Sequence, residues 1–141
     1  MTSAEVVHLG VEAELIHTPE WRSVSSWRLN AIFEGPEQAT ERLLSLLRPY
    51  LRTHALWQRA PMPLELPTNG CGSLVLRNVG ALGQREQAAL MRWLDAGGKQ
   101  VVSTTVDPLF ARVARGLFDA ALYYRLNTTL IRVDSTGACA E

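Results

Sequence analysis

The residues best placed to do chemistry lie in Gly72-Ser73-Leu74-Val75-Leu76-Arg77-Asn78-Val79-Gly80. A short apolar run follows a glycine turn and stops at a charged side chain. A buried parallel strand delivers a group to a site at its C-terminal end in this way. Where such a site holds a metal ion and orients water, the delivered groups are acidic. Here they are Arg77 and Asn78, which can do neither job in the same way. No other constellation suggests catalysis. Ser23, Ser25 and Ser26 lack the flanking glycines of a nucleophile elbow. His8, His17 and His54 stand in unlike contexts, so no metal site is expected. Two cysteines, Cys71 and Cys139, are too few for a disulfide framework, and Cys71 reads as a structural residue in a turn.

The chain has 141 residues and a formal net charge of zero, enough for one domain with a proper core and without an electrostatic argument for nucleic acid or an anionic membrane. Direct DNA binding and membrane association are therefore not expected. Trp21, Trp27 and Trp57 read as core or interface residues, since the basic surroundings of a base-stacking site are missing. No apolar stretch approaches the roughly 20 residues of a membrane span, and no leader peptide is visible, so a cytoplasmic location is the expectation.

The elements that must position Arg77 and Asn78 follow from pattern. Residues 1–18 show no clear period and form an N-terminal segment; residues 19–133 form the domain; residues 134–141 form a frayed tail. Thr18-Pro19-Glu20 starts a helix, with a hydroxyl cap, proline at the first position and then an acid. Trp21, Val24 and Trp27 share its inner face. A strand over 29–33 is broken by Glu34-Gly35-Pro36-Glu37. A second helix carries Leu43, Leu44, Leu46, Leu47, Tyr50 and Leu51 in one stripe and should end or kink at Pro49. Residues 58–72, with Pro61, Pro63, Pro67 and Asn69-Gly70, form the longest irregular connection. Then come a strand over 73–76, a helix over 84–96 stopped by Gly97-Gly98, and a strand over 100–105. A helix after Asp107-Pro108 has Leu109, Phe110, Val113 and Leu117 inward, and a last strand runs over 128–133. Alternation of strand and helix predicts an α/β fold, a three-layer αβα sandwich around a small parallel sheet.

The stretch Gly72–Val133 resembles the AAA+ ATPase domain of bacterial sigma-54-dependent transcription activators. Gly72–Leu82 is similar to that family's second nucleotide motif, G-T-L-F-L-D-E-I-G-E-L. Gln87, Leu90, Arg92 and Leu94 match its Q-x-x-L-L-R-x-L helix, and Val101–Thr105 its V-I-A-A-T strand. Gly116–Asn127, ending in Leu-Tyr-Tyr-Arg-Leu-Asn, resembles G-x-F-R-x-D-L-Y-Y-R-L-N. The resemblance implies a RecA-like P-loop NTPase core, without the helical lid and without the sigma-contacting loop. The short region that replaces that loop implies four core strands. It also implies transcription regulation in a bacterial, response-regulator-like setting.

The departures from the family fall on its nucleotide site. Gly35–Arg42 stands where the resemblance places the phosphate loop, G-x-x-G-x-G-K-E. Only Gly35 is kept; Gln38 and Thr40 replace glycines, and Glu41 replaces the lysine. A phosphate loop needs glycines to wrap backbone N–H groups around phosphate, and a cation to meet its charge. Val106 replaces the sensor asparagine after Thr105, and Asp119 replaces the first of two arginines that reach a neighbour's nucleotide; Arg125 matches the second. Loss of ATP and magnesium is expected, with no catalytic residue and a vestigial site of Gly35, Glu41, Arg77, Asn78, Thr105 and Val106. Glu41 and Arg77, at the ends of strands adjacent in the family fold, could pair across it.

Asp119, Tyr123, Tyr124 and Arg125 are the interface candidates. One tyrosine should be core and the other surface, and Arg125 should make a local salt bridge. The implied partner is a protein, either an intact AAA+ activator or the transcription machinery, with self-association left open. The alternatives are a domain that still binds ATP, and a decayed fragment that folds and does nothing.

Overall fold

A computed structural model describes residues 3–8, 15–51, 55–67 and 72–134. Six strands, β1 (Ser3–His8), β2 (Ala31–Glu34), β3 (Leu56–Arg59), β4 (Leu74–Arg77), β5 (Val101–Thr105) and β6 (Thr129–Asp134), form one sheet in the order β1-β6-β2-β5-β4-β3. Every pairing is parallel. Among the described residues, five helices cover it: α1 (Pro19–Ser25), α2 (Glu37–Leu47), α3 (Gln84–Asp95), α4 (Leu109–Ala114) and α5 (Ala120–Leu126). The α/β sandwich expected from the alternation is the one observed.

Successive strand residues face opposite layers. Ile32, Leu74, Leu76, Val101 and Leu130 join Leu90, Leu94, Leu109 and Leu122 beneath α3, α4 and α5. Ala31, Phe33, Val75, Val102 and Ile131 meet Trp21, Val24, Leu43, Leu44 and Leu47 of α1 and α2 on the other face. The Trp21 and Phe33 rings stack with centroids 6.5 Å apart. The Thr18 hydroxyl accepts from the Trp21 N–H at 3.1 Å, the cap its sequence predicts. Pro49 ends α2, and a single 3-10 turn, Arg48–Tyr50, follows. Gly97, at φ +98°, closes α3.

Several expectations need correction. The sheet has six strands instead of four. Part of the supposedly patternless residues 1–18 is β1, paired along its whole length with β6; Ser-Ala-Glu-Val-Val-His has only two consecutive strongly apolar residues and so no visible period. Leu56–Arg59 is the edge strand β3, partly exposed and four residues long, too short to announce itself within a loop-like region. Trp27 lies past the end of α1 and is 72% exposed. Phe110 and Leu117 point outward: α4 turns Leu109 into the core and Val113 partly against it, Phe110 lies on its outer side, and Leu117 comes after its end at Ala114. The boundaries of β2, β4, β5, β6 and α3 each move by one or two residues. The tail over 135–141 lies outside the described residues. Among the described residues, no helix is long and apolar enough to cross a membrane.

Two polar clamps, one buried at Gln100 and one half-buried at Asn30, fix the N-terminal edge of the sheet. The Gln100 amide donates to the carbonyls of Val24 and Leu29 and accepts from the Ser73 hydroxyl. Asn30 donates to the Arg125 carbonyl and accepts from the Val101 N–H at 2.8 Å. Each clamp joins segments more than 70 residues apart.

Candidate functional site

The vestigial site gathers at the C-terminal ends of β2, β4 and β5, where α/β sheets usually place their ligands. Gly35 leaves β2 with φ +154° and donates its N–H to the Thr105 carbonyl at 2.9 Å. A Cβ on Gly35 would stand 2.5 Å from the Val133 carbonyl oxygen, so this glycine is needed for close backbone approach. Only Pro36 separates it from α2, which begins at Glu37. The segment aligned with a phosphate loop is therefore mostly helix. Thr40 is buried within α2 and its hydroxyl donates to the Glu37 carbonyl at 3.0 Å. No open loop remains to wrap an anion with successive N–H groups.

Glu41 and Arg77 meet. Arg77 Nε donates to Glu41 Oε2 at 2.5 Å and a terminal nitrogen donates to Oε1 at 3.0 Å, a two-point guanidinium–carboxylate contact. Their side chains are 23% and 38% exposed, so the pair is shielded without being sealed. One expected detail is wrong. The strand before Glu41, β2, is not adjacent to β4, because β5 lies between them. The contact forms because Glu41 sits a turn into α2. Trp57 of β3, read from the sequence only as a core or interface residue, completes the arrangement. The Arg77 guanidinium carbon is 5.1 Å from the Trp57 ring centroid and that of Arg48 is 4.3 Å from it. Cation–π attraction thus orients Arg77 in addition to its ion pair.

Asn78 takes up the left-handed conformation, φ 57° and ψ 47°, which asparagine tolerates better than most residues. Its side chain donates to the Ala60 carbonyl at 3.1 Å, and its N–H donates to the Thr104 hydroxyl at 3.3 Å. Thr105 donates its hydroxyl to the Asp107 carbonyl at 2.7 Å. Val106 is 57% exposed and offers no hydrogen bond to a ligand. A cleft of about 230 Å³ remains between Thr40, Asn78, Thr104, Thr105, Val106 and the Arg59–Glu37 ion pair, which is 2.6 Å long. Beside it, Glu34 is buried and bound by Arg132 at 2.8 Å.

The interface candidates divide. Asp119 caps α5: its carboxylate accepts from the Leu122 N–H at 2.9 Å, while its own N–H donates to Gln87 at 2.8 Å. Replacing Asp119 with alanine is expected to cost about 1 kcal/mol, read from urea melts; asparagine, which also caps, should restore most of it. Arg125 pairs with Asp95 on the surface at 2.5 Å. Tyr123 is buried and Tyr124 is 62% exposed, one core and one surface as expected. Burial, then the nearby Glu34 carboxylate, raises the Tyr123 pKa, so it stays a neutral phenol, bonded to Asn127 at 2.9 Å. Its ring touches those of Phe110 and Tyr124, at centroid distances of 5.8 and 5.2 Å.

Among the described residues no group of three or more His, Cys, Asp or Glu could hold a metal ion. Cys71, Cys139, His54 and the His8 side chain lie outside them.

A family model described as "Sigma-54 interaction domain" matches residues 48–135. Among solved structures, the chain is similar to NtrX from Brucella abortus. The TM-score is 0.65 at 18% identity, over 91% of this chain and 38% of that one. For NtrX in complex with ATP the values are 0.67 and 19%, over 93% and 37%. For NtrX in complex with ADP they are 0.66 and 16%, over 89% and 36%. The chain thus spans well under half the length of the NtrX chains, and the likeness is one of fold. A search of curated proteins finds no match.

Proposed function

The chain belongs to the sigma-54 interaction domain family, and we propose that it regulates transcription by binding protein and hydrolyses no ATP. The observation that carries this is the Arg77–Glu41 pair. It sets a carboxylate where the family resemblance places the phosphate-binding lysine, and a cation where it places the metal-holding acid. Each charge would repel what the family site attracts, and each is already neutralised by the other. The neighbouring cleft, at about 230 Å³, is smaller than the roughly 300–1,000 Å³ of ordinary small-molecule sites. The partner in this reading is an intact AAA+ activator or a component of the transcription machinery, reached through a surface that needs no chemistry.

Phosphate release from ATP with magnesium tests the reading. The expected result is no release above the blank, and turnover lost on substitution of Thr105 would overturn it. A second reading, a domain that still binds ATP, draws on the same cleft and on Arg59 at its rim. It predicts binding without turnover.

A further inference from the structure

The irregular connection that follows β3 is held in a way the rest of the fold is not. β3 itself is fixed at both ends. The Leu56 and Ala60 N–H groups donate to the Ser73 and Arg77 carbonyls at 2.8 and 3.0 Å, and the Asn78 side chain holds the Ala60 carbonyl. Beyond Ala60 that support stops. Pro61, Pro63 and Pro67 leave only four N–H groups in residues 61–67, those of Met62, Leu64, Glu65 and Leu66. Met62 closes a turn onto the Arg59 carbonyl at 3.1 Å. Among the described residues, 63–67 make no backbone–backbone hydrogen bond.

Side chains hold the segment instead. Gln58 of β3 is in register with Leu76 and faces the α3 layer with it. Its amide accepts from the Glu65 N–H at 2.6 Å and donates to the Glu65 carbonyl, the two bonds that a neighbouring strand would make. The Trp93 indole N–H of α3 donates to the Pro67 carbonyl at 2.8 Å. Leu64 and Leu66, half-buried, pack against the core between these points. Parallel strands are usually joined by a covering helix with its own backbone bonds. Here the cover is an irregular strap held by three side-chain bonds and two leucines. A segment without a backbone ladder opens at lower free energy than the sheet it lies on. We infer that residues 61–67 are a latched flap, which opens as a unit from an intact sheet with Gln58 and Trp93 as the latch and Ala60 as the fixed end. Closed, Leu64 and Leu66 cover the flank of the core beside α3; open, that apolar flank meets solvent. The inference goes beyond the protein-binding reading and stands or falls without it.

Proteolysis of the folded full chain by a glutamate-specific protease tests it. The Glu65–Leu66 bond lies in the flap, whereas Glu41–Arg42 and Glu86–Gln87 lie in helices. Cleavage at Glu65 should precede the other two, and its rate should change little in about 1 M urea, since a local opening exposes little surface. Gln58→Ala should speed the Glu65 cleavage about tenfold, and Trp93→Phe, which keeps a ring and loses the N–H, about fivefold. Cleavage at Glu41 and Glu86 should keep its rate in both. The proposal is overturned if Glu41 or Glu86 is cut before Glu65 in the parent. It is also overturned if Gln58→Ala speeds all three cleavages alike, because flap and sheet then open together, or if it leaves the Glu65 cleavage unchanged. Should circular dichroism show that Gln58→Ala does not fold, Trp93→Phe is read by the same two criteria.

Discussion

Replacing Gly35 with alanine is expected to destabilise the fold by about 3 kcal/mol or more, a drop in Tm of about 10 °C for a domain of this size. Two costs coincide at this position. The φ of +154° disfavours any side chain, and the new Cβ would lie 2.5 Å from the Val133 carbonyl oxygen. That oxygen is backbone of a paired strand and cannot rotate away. Relief requires β6 to shift against β2, with which it pairs through Ala31, Ile32, Phe33 and Glu34. Thermal denaturation followed by circular dichroism checks this. A Tm within about 2 °C of the parent would mean that the turn is slack, and that the one retained glycine of the phosphate-loop segment has no packing role.

The second large effect is expected at Arg77. The substitution Arg77→Asp would set a second carboxylate against Glu41 and remove the cation from Trp57. A fully buried pair broken on one side costs about 3–5 kcal/mol, and exposed pairs are worth about 0–1 kcal/mol. With side chains 23% and 38% exposed, this contact belongs between them, at about 2 kcal/mol. The charge-swapped double variant, Glu41→Arg with Arg77→Asp, should recover part of the loss. A coupling of about 1 kcal/mol or more in the resulting double-mutant cycle is expected. Full stability in Arg77→Asp would remove the ion pair from the account.

Much of the fold is legible in the sequence, because local signals and family motifs agree. Thr18-Pro19 specifies a capped helix, Gly97 a helix stop, and Pro49 a break; each acts within a few residues of itself. The Tyr123-Tyr124 pair reads as one core and one surface residue without saying which, and Tyr123 is the buried one. The separate helix α5 that carries them is not read from the sequence, which runs a single helix from Asp107-Pro108 through Leu117. The Glu41–Arg77 contact is legible too, although its geometry is not. It was expected between neighbouring strands and forms across an intervening one.

The illegible parts depend on partners remote in the chain. β1 exists by pairing with β6, more than 120 residues later, and β3 by pairing with β4. Neither has an apolar period of its own. Gln100 and Asn30 look like ordinary polar residues near the starts of strands until the segments they bridge are side by side. Trp57 has the same character, since its contact with Arg77 exists only because β3 joins the sheet next to β4. Phe110 and Leu117 were expected inward because their spacing continues a helical face. Phe110 lies on the outer side of α4 next to the buried Leu109, and Leu117 comes after the helix has stopped at Ala114, so both side chains are left outside.

Isothermal titration of the full chain with ATP and magnesium tests most directly whether the Arg77–Glu41 pair has taken the place of nucleotide. The account predicts no saturable heat up to ligand concentrations of about 1 mM, equivalent to binding weaker than about −4 kcal/mol. Saturable binding tighter than that, lost when Arg59 or Thr105 is substituted, would contradict it.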